Sequence, residues 1–350
     1  YLDVVHHGHL IAGEFERGQH RGGGHVVNAW DRDRVAALRL YLEAWRQVHG
    51  TDNAQAAANY LQRFAYALRH ADQYGDAWRL QMLTNLADLP DYQPGWGHHG
   101  GQPRGAPVDE DGDPVYYELP ATWEAARNDG ERWRWVLGQL ARLSENHALR
   151  ALDIRATFLR EQFGVHTLAQ YGWILPREQS ADDTDLWAIH TLGDDETIAR
   201  LATGVKRFKL PEEHNFIKLH QQAIELWRER KEPGVPFSSV DTLARIFQDR
   251  HQYPRAADMW RLAVEHSRGR AQSNYQQQLA QIVDAWGQFE PVMTQPAGRG
   301  ATVEFRFRNA DAVEFTAHEI DVQKLLDDVK KFLKARPQQL DWQQLQIDNL

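Results

Sequence analysis

A chain of 350 residues has room for two or three ordinary domains, or for an extended helical array plus a smaller unit, and its 42% apolar and 25% charged residues supply ample core material, so disorder is not expected. The formal net charge of -9 argues against a nucleic-acid platform, which needs clustered positive charge, and no apolar run approaches the roughly 18 residues of a membrane span. The absence of cysteine excludes disulfides, thiolate ligands and a cysteine nucleophile within these residues, and lysine first occurs at Lys206, so no P-loop or Schiff-base lysine precedes it.

The chain starts at Tyr1 without an initiator methionine or a charged-then-apolar leader, and the expectation is a mature, trimmed or partial polypeptide whose targeting signal is not readable. Residues 1–27 are rich in His and Gly, with Arg21, Gly22, Gly23 and Gly24 as a flexible turn. Asn28 suits the N-cap of a helix in which Val35, Leu38, Leu42 and Trp45 share a face. A second helix with Tyr60, Leu61, Phe64 and Leu68 folds back on it, and a third amphipathic stretch through Trp78, Met82, Leu83 and Leu86 stops before Pro90. Residues 1–87 are therefore assigned to N-terminal helical hairpins.

Residues 88–121 break the pattern with repeated Gly and Pro, and they read as an irregular insertion. A small β-hairpin is predicted within it, turning at Asp111 and Gly112 and returning through Val115, Tyr116 and Tyr117. A loop of this length is expected to pack on the surface or meet a partner, and Trp96 is its candidate interaction residue.

Helical patterning resumes over residues 122–290, with Trp133, Leu137 and Leu140, then Leu149, Leu152, Phe158 and Leu159. Ile198, Leu201 and Val205, followed by Phe216, Leu219, Ala223 and Leu226, suggest a degenerate helical hairpin. The clearest unit spans residues 240–263, where Val240, Leu243, Ala244, Phe247, Ala256, Trp260 and Ala263 fall on tetratricopeptide spacing. Two helices joined near residues 251–254 are predicted: small Ala residues let them approach, and Phe and Trp fill the gap to the next hairpin. Such a pattern makes a binding surface and brings no chemistry of its own. Tyr275, Leu279, Ile282 and Trp286 then read as a closing helix.

Beyond residue 300 the period changes to two. Val303, Phe305 and Phe307 alternate with Glu304, Arg306 and Arg308, and Asn309 and Asp311 turn the chain into Val313 and Phe315, a β-hairpin with one apolar face. Thr316 and Glu319 have capping-box spacing, Asp321 is an equally good cap, and a helix follows through Leu325, Leu326, Val329 and Leu333 until Pro337. A hairpin and one helix bury little, so residues 301–350 are expected to dock on the helical body or open a further domain. The fold class is mainly α: irregular tetratricopeptide-like helical hairpins forming an α-solenoid, with a Gly/Pro-rich insertion and a C-terminal β-hairpin plus helix.

Candidate chemistry is sparse. His6, His7 and His9, with His20 and His25, offer metal nitrogens, but no helical pair or carboxylate partner is fixed by spacing. Arg21 to Gly24 resembles an anion nest, but only a plain GGG marks it, so a tight packing turn is the better reading. Asp109, Asp111, Gly112 and Glu118 imitate part of a calcium loop, yet Pro107 stands where the first Asp belongs, so a hairpin turn is the better reading. Glu212 with Glu213, and Asp327 with Asp328, are adjacent and read as solvated charges. Trp227, Trp260 and Trp286 read as inter-helical filler. GxSxG, HExxH and GxxxxGK strings are absent, and no catalytic residue, cofactor or metal ligand is assigned.

Four strings, GEFERGQHRGGGHVVNAWDRDRVAALRL at residues 13–40, LADLPDY at 86–92, GAPVDEDGDPVYYELPATWEAARNDGERWRW at 105–135 and EFTAHEIDVQKLLDDVKKFLKARPQQLDWQQL at 314–345, resemble the N-terminal region of very large bacterial, planctomycete-type alpha-2-macroglobulin family proteins. The resemblance implies an exported, periplasmic or envelope-associated protein whose later β-sandwich domains trap proteases by a bait segment and, in many members, a Cys-Gln thioester. With no Cys, no functional residue carries over, and residues 303–315 are where a helical leader would meet the sandwich region. The expected function is a non-enzymatic scaffold and protein-interaction region, partnered by downstream domains of the same polypeptide or by a peptide or protein ligand, with no cofactor, nucleic acid or membrane span. The alternative is a free-standing tetratricopeptide-like peptide-binding adaptor; an enzyme with its site in the 88–121 insertion is the third class considered.

Overall fold

A computed structural model describes residues 4–19, 23–48, 53–69, 74–96, 105–171, 188–230, 235–291, 295–296, 298–300, 302–318 and 320–335. It is about 54% helical, with ten α-helices and a few small sheets among the described residues. The chain divides into two units, Tyr1–Ile282 and Val283–Leu350.

The first unit opens with strands where a flexible stretch and purely helical hairpins were expected. β1 (His7–Ile11) and β2 (Glu14–Arg17) form a hairpin whose two turn residues, Ala12 (φ 50°) and Gly13 (φ 90°), both adopt positive φ. That geometry matches the twist of the flanking strands, and glycine adopts it without strain. β3 (His25–Asn28) and the two-residue β4 (Gln93–Pro94) complete an antiparallel sheet of order β2-β1-β3-β4. The strand signal is hidden because histidines occupy alternate β1 positions where apolar residues mark a strand. Arg21 and Gly22 of the predicted turn lie outside the described residues.

α1 (Trp30–Val48) begins two residues beyond Asn28, whose Oδ1 accepts the Trp30 N–H at 3.5 Å while its amide donates to the carbonyls of Gln93 and Gly95. Asn28 thus shares the capping role with a sheet-bridging one. α2 (Ala54–Arg69) buries Ala58, Leu61, Phe64, Ala65 and Leu68. α3 (Tyr74–Leu80) is shorter than its pattern promised: the helix ends before Met82 and Leu83, which are 67% and 51% exposed.

The Gly/Pro-rich segment also departs from expectation. Asp109 Oδ1 accepts the backbone N–H groups of Asp111 and Asp113 at 3.1 and 2.9 Å, so the carboxylate holds its own turn rather than a calcium ion. The predicted hairpin forms as a short pairing, with one bridge between Val108 and Pro114 and the Val115 N–H donating to the Pro107 carbonyl at 3.2 Å, while Tyr116 and Tyr117 run on outside any strand. Far from lying wholly on the surface, the segment enters the core through Ala106 and Tyr117.

α4 (Asp129–Ala141) and α5 (Glu145–Phe163) follow. Gly130 sits under Tyr117 so closely that an added Cβ would meet the ring at 2.2 Å, and this approach fixes the insertion against α4. Ile198, Leu201 and Val205 belong to a β-hairpin, not to the predicted helix: β5 (Glu196–Leu201) pairs with β6 (Gly204–Lys209), and Thr197, Ile198 and Ala199 are all buried. A short strand buried on both faces loses its alternation, and periodicity then cannot distinguish it from a helix.

α6 (Phe216–Arg230), α7 (Phe237–Asp249), α8 (Tyr253–His266) and α9 (Gly269–Val283) complete the helical run. Packing follows chain order: α2 on α4, α4 on α5, α5 on α6, α6 on α7 and α7 on α8. One core runs through them, with Leu61, Phe64, Trp133, Phe158, Phe216 and Trp260 among its larger members. No helix among the described residues is long and apolar enough to cross a membrane.

In the second unit, β7 (Trp286–Phe289) pairs antiparallel with β8 (Phe305–Arg308), with Phe289 opposite Phe305. The predicted 303–315 hairpin is therefore replaced: Val313 and Phe315 are not in a strand, and Trp286 belongs to β7 instead of the closing helix. Trp286 had a residue spacing from Ile282 that suited a helix, which concealed the partner strand. α10 (Val322–Ala335) is capped by Asp321, whose Oδ1 accepts the Lys324 N–H at 3.0 Å; Glu319 of the Thr316–Glu319 capping-box alternative lies outside the described residues.

Candidate functional site

The alternation of β1 places His7 and His9 on one face, where their rings approach Trp96 at 5.1 and 6.2 Å in edge-on contacts. Trp96 follows β4 and is 53% exposed. His6 is buried under Trp30, with ring centroids 3.8 Å apart, and its Nδ1 lies 2.9 Å from Asp33 Oδ2. Arg17 grips the same carboxylate with two nitrogens at 2.7 and 2.5 Å and donates to the Val5 carbonyl. Burial would raise the Asp33 carboxyl, but the hydrogen bonds from Arg17 and His6 outweigh it and hold the group below its ordinary range. This part of the His-rich segment ties the sheet to α1.

Val240, Leu243, Ala244, Phe247, Ala256, Trp260 and Ala263 are all buried in α7 and α8. Tyr275 of α9 covers Trp260 at 5.7 Å, and the Arg255 guanidinium lies 4.0 Å from the Phe247 ring centre. The side chains fill the space between helices and present nothing to a ligand.

The turn between these helices carries residues that sequence reading passed over. Arg250 is fully buried and donates to the carbonyls of Gly193 at 2.9 Å and Glu196 at 2.7 Å. Gln252 donates to the Leu192 carbonyl, and Arg255 pairs with Asp194 at 2.6 Å. Burial pushes the Arg250 guanidinium down to about 10. Together these groups clamp the approach to β5 onto the end of the α7–α8 hairpin. The only sequence signal was a cluster of polar residues at a turn, which a solvated loop shows equally.

A second missed network centres on Asp129, fully buried in the first turn of α4. It accepts from the Thr84 N–H (3.1 Å), the Thr84 hydroxyl (2.5 Å), Arg34 (3.0 Å) and Arg132 (3.0 Å). With its acceptor sites filled by charge-assisted donors, this carboxylate holds α1 and the segment after α3 to α4. Asn128, the N-cap, accepts the Glu131 N–H at 2.8 Å, and Glu131 reaches back to the Arg127 N–H at 2.7 Å.

The remaining cluster lies where the Gly/Pro-rich segment meets the short 3-10 turn before α6. Glu118, Glu213 and His214 come together there, and they are the one group among the described residues whose ligand atoms all lie within 4.8 Å of one another. Glu213, expected to be a solvated charge, is held by Arg134 at 2.9 Å and Arg155 at 3.4 Å. Those cations, the Arg134 hydrogen bond foremost, keep its carboxyl below the ordinary range. Burial, aided by Arg134 and Arg155, pushes His214 down to about 4, so its imidazole is neutral at pH 7. No protein-family model, curated protein or solved structure matches this chain.

Proposed function

We propose that the chain is a non-catalytic helical scaffold and protein-interaction region, the N-terminal part of a large alpha-2-macroglobulin-like protease-trapping protein of the cell envelope. Its helices would form an irregular, tetratricopeptide-like array, a reading supported by the chain-order packing from α4 to α8 and by the buried α7–α8 hairpin. The observation that carries the functional reading is the apolar face of the second unit. Phe289, Phe307 and Phe315 are 55%, 49% and 56% exposed, and Phe289, Phe305 and Phe307 share one face of the β7–β8 ribbon. α10 adds Val322, Leu326 and Leu333, also exposed. The rings of Phe289, Phe305 and Phe315 cluster together, and exposed apolar surface of this kind marks a protein contact, here one with further domains of the same polypeptide.

The test is binding of the hydrophobic dye ANS to the full 350-residue chain. Strong fluorescence that falls severalfold in a Phe289→Ser/Phe315→Ser double variant supports the reading; fluorescence that is weak, or indifferent to both changes, sinks it. The adaptor alternative has in its favour only a shallow, open hollow on the side of α2, lined by Ala56, Asn59, Tyr60, Gln62 and Arg63. Pull-down of a peptide that is lost on changing Asn59 and Arg63 would move the assignment to that class.

A further inference from the structure

We propose that Glu118, Glu213 and His214 form a binding site for a divalent transition-metal ion of the zinc class. His214 is only 4% exposed, and its ring stacks on Tyr116 with centroids 4.6 Å apart and planes 21° apart, which fixes the direction of its edge. Nε2 is aimed between two carboxylates, 3.7 Å from Glu118 Oε1 and 3.9 Å from Glu213 Oε1. Those separations are too long for hydrogen bonds, and neither ring nitrogen makes one among the described residues. The edge of this otherwise buried ring makes no hydrogen bond among the described residues and faces the two carboxylates, an arrangement open to a shared ligand.

A metal ion fits that gap. Zinc bound about 2.0–2.2 Å from nitrogen and oxygen ligands in a tetrahedron places the ligand atoms roughly 3.3–3.6 Å apart, so the 3.7 and 3.9 Å separations from His214 Nε2 need to close by only a few tenths of an ångström, and the two carboxylates, within 4.8 Å of each other, by no more than about 1.5 Å. The Glu118 side chain is 58% exposed and has the freedom to make that movement. Arg134 donates to Glu213 Oε1 and to the Tyr117 carbonyl, and Arg155 donates to the Glu213 backbone carbonyl. They orient Glu213 as outer-shell groups orient ligating carboxylates. Their two positive charges also weaken the site for a cation, so binding is looser than in a site of net negative charge. One imidazole with two carboxylates favours zinc or cobalt over calcium or magnesium, which need a larger all-oxygen shell.

The test uses the chelator-treated full chain, titrated calorimetrically with Zn²⁺ and spectroscopically with Co²⁺. Tetrahedral cobalt gives visible d–d bands, and these are expected in the wild type. Glu118→Gln, an exposed change that spares the core, is expected to abolish the bands and weaken zinc by at least about tenfold, the least that even an outer-shell change produces. His214→Gln removes the remaining affinity, and a His7→Ala/His9→Ala variant retains the bands. No cobalt bands in the wild type, or bands that survive Glu118→Gln and vanish in His7→Ala/His9→Ala, overturn the proposal.

Discussion

The largest single-residue contributions in this protein come from side chains that fill or brace the helical core. Trp260 is fully buried between α7, α8 and Tyr275, so Trp260→Ala is expected to cost about 3–5 kcal/mol through lost burial and the cavity left behind. A urea midpoint unchanged by the substitution would show that the hairpin is not packed as described. His220 offers a pH test of the same core. It is completely buried, its Nδ1 lies 3.2 Å from the Ser239 hydroxyl, and burial lowers it to about 4 despite Asp153 nearby, with Arg160 adding to the depression. Between roughly pH 6.5 and 4 the unfolded chain therefore binds a proton that the folded chain refuses, and stability falls with falling pH by up to about 1.4 kcal/mol per unit from this group. Urea unfolding at pH 7 and pH 5 should show a smaller loss for His220→Gln than for the wild type; equal losses would contradict it. Apolar periodicity made Trp260 legible in the sequence. Arg250 and Asp129 were not, because all but Arg132 among their partners lie tens of residues away and a buried charge looks like a solvated one until those partners are known.

Among the elements, the helices from α4 onward were the most legible, since each keeps an apolar stripe over three or more turns. The strands were the least. β1 alternates histidines instead of apolar residues, β5 is buried on both faces, and β7 continued the apparent period of α9. The Gly/Pro-rich segment was recognised as a break, but its role as a brace depends on contacts such as Tyr117 over Gly130 that no local pattern announces. Those contacts make a prediction against propensity. Alanine is the better helix former by about 1 kcal/mol, yet Gly130→Ala is expected to destabilise by about 1–3 kcal/mol, because its methyl group collides with a buried ring. Thermal unfolding of this variant decides the sign, and a rise in Tm would mean that Tyr117 moves aside freely.

At the scale of the whole molecule, the two units differ in how completely they cover their apolar residues. The unit Tyr1–Ile282 closes a continuous core and fixes it with internal ion networks, whereas the unit Val283–Leu350 presents phenylalanines and one face of an amphipathic helix. The sequence made the mainly helical class and the change to β patterning near residue 300 readable. It could not give the pairing of β8, because Trp286–Phe289 and residues 313–315 are both short segments containing an aromatic residue, and pairing is a tertiary choice between them. The proposal that this chain is the leader of a much larger trap-like polypeptide is decided by immunoblotting protease-inhibited lysate of cells that make the protein with an antibody against residues 1–350. The native polypeptide is expected to migrate far above the 40.4 kDa of this chain; a band at 40.4 kDa as the sole product would contradict it.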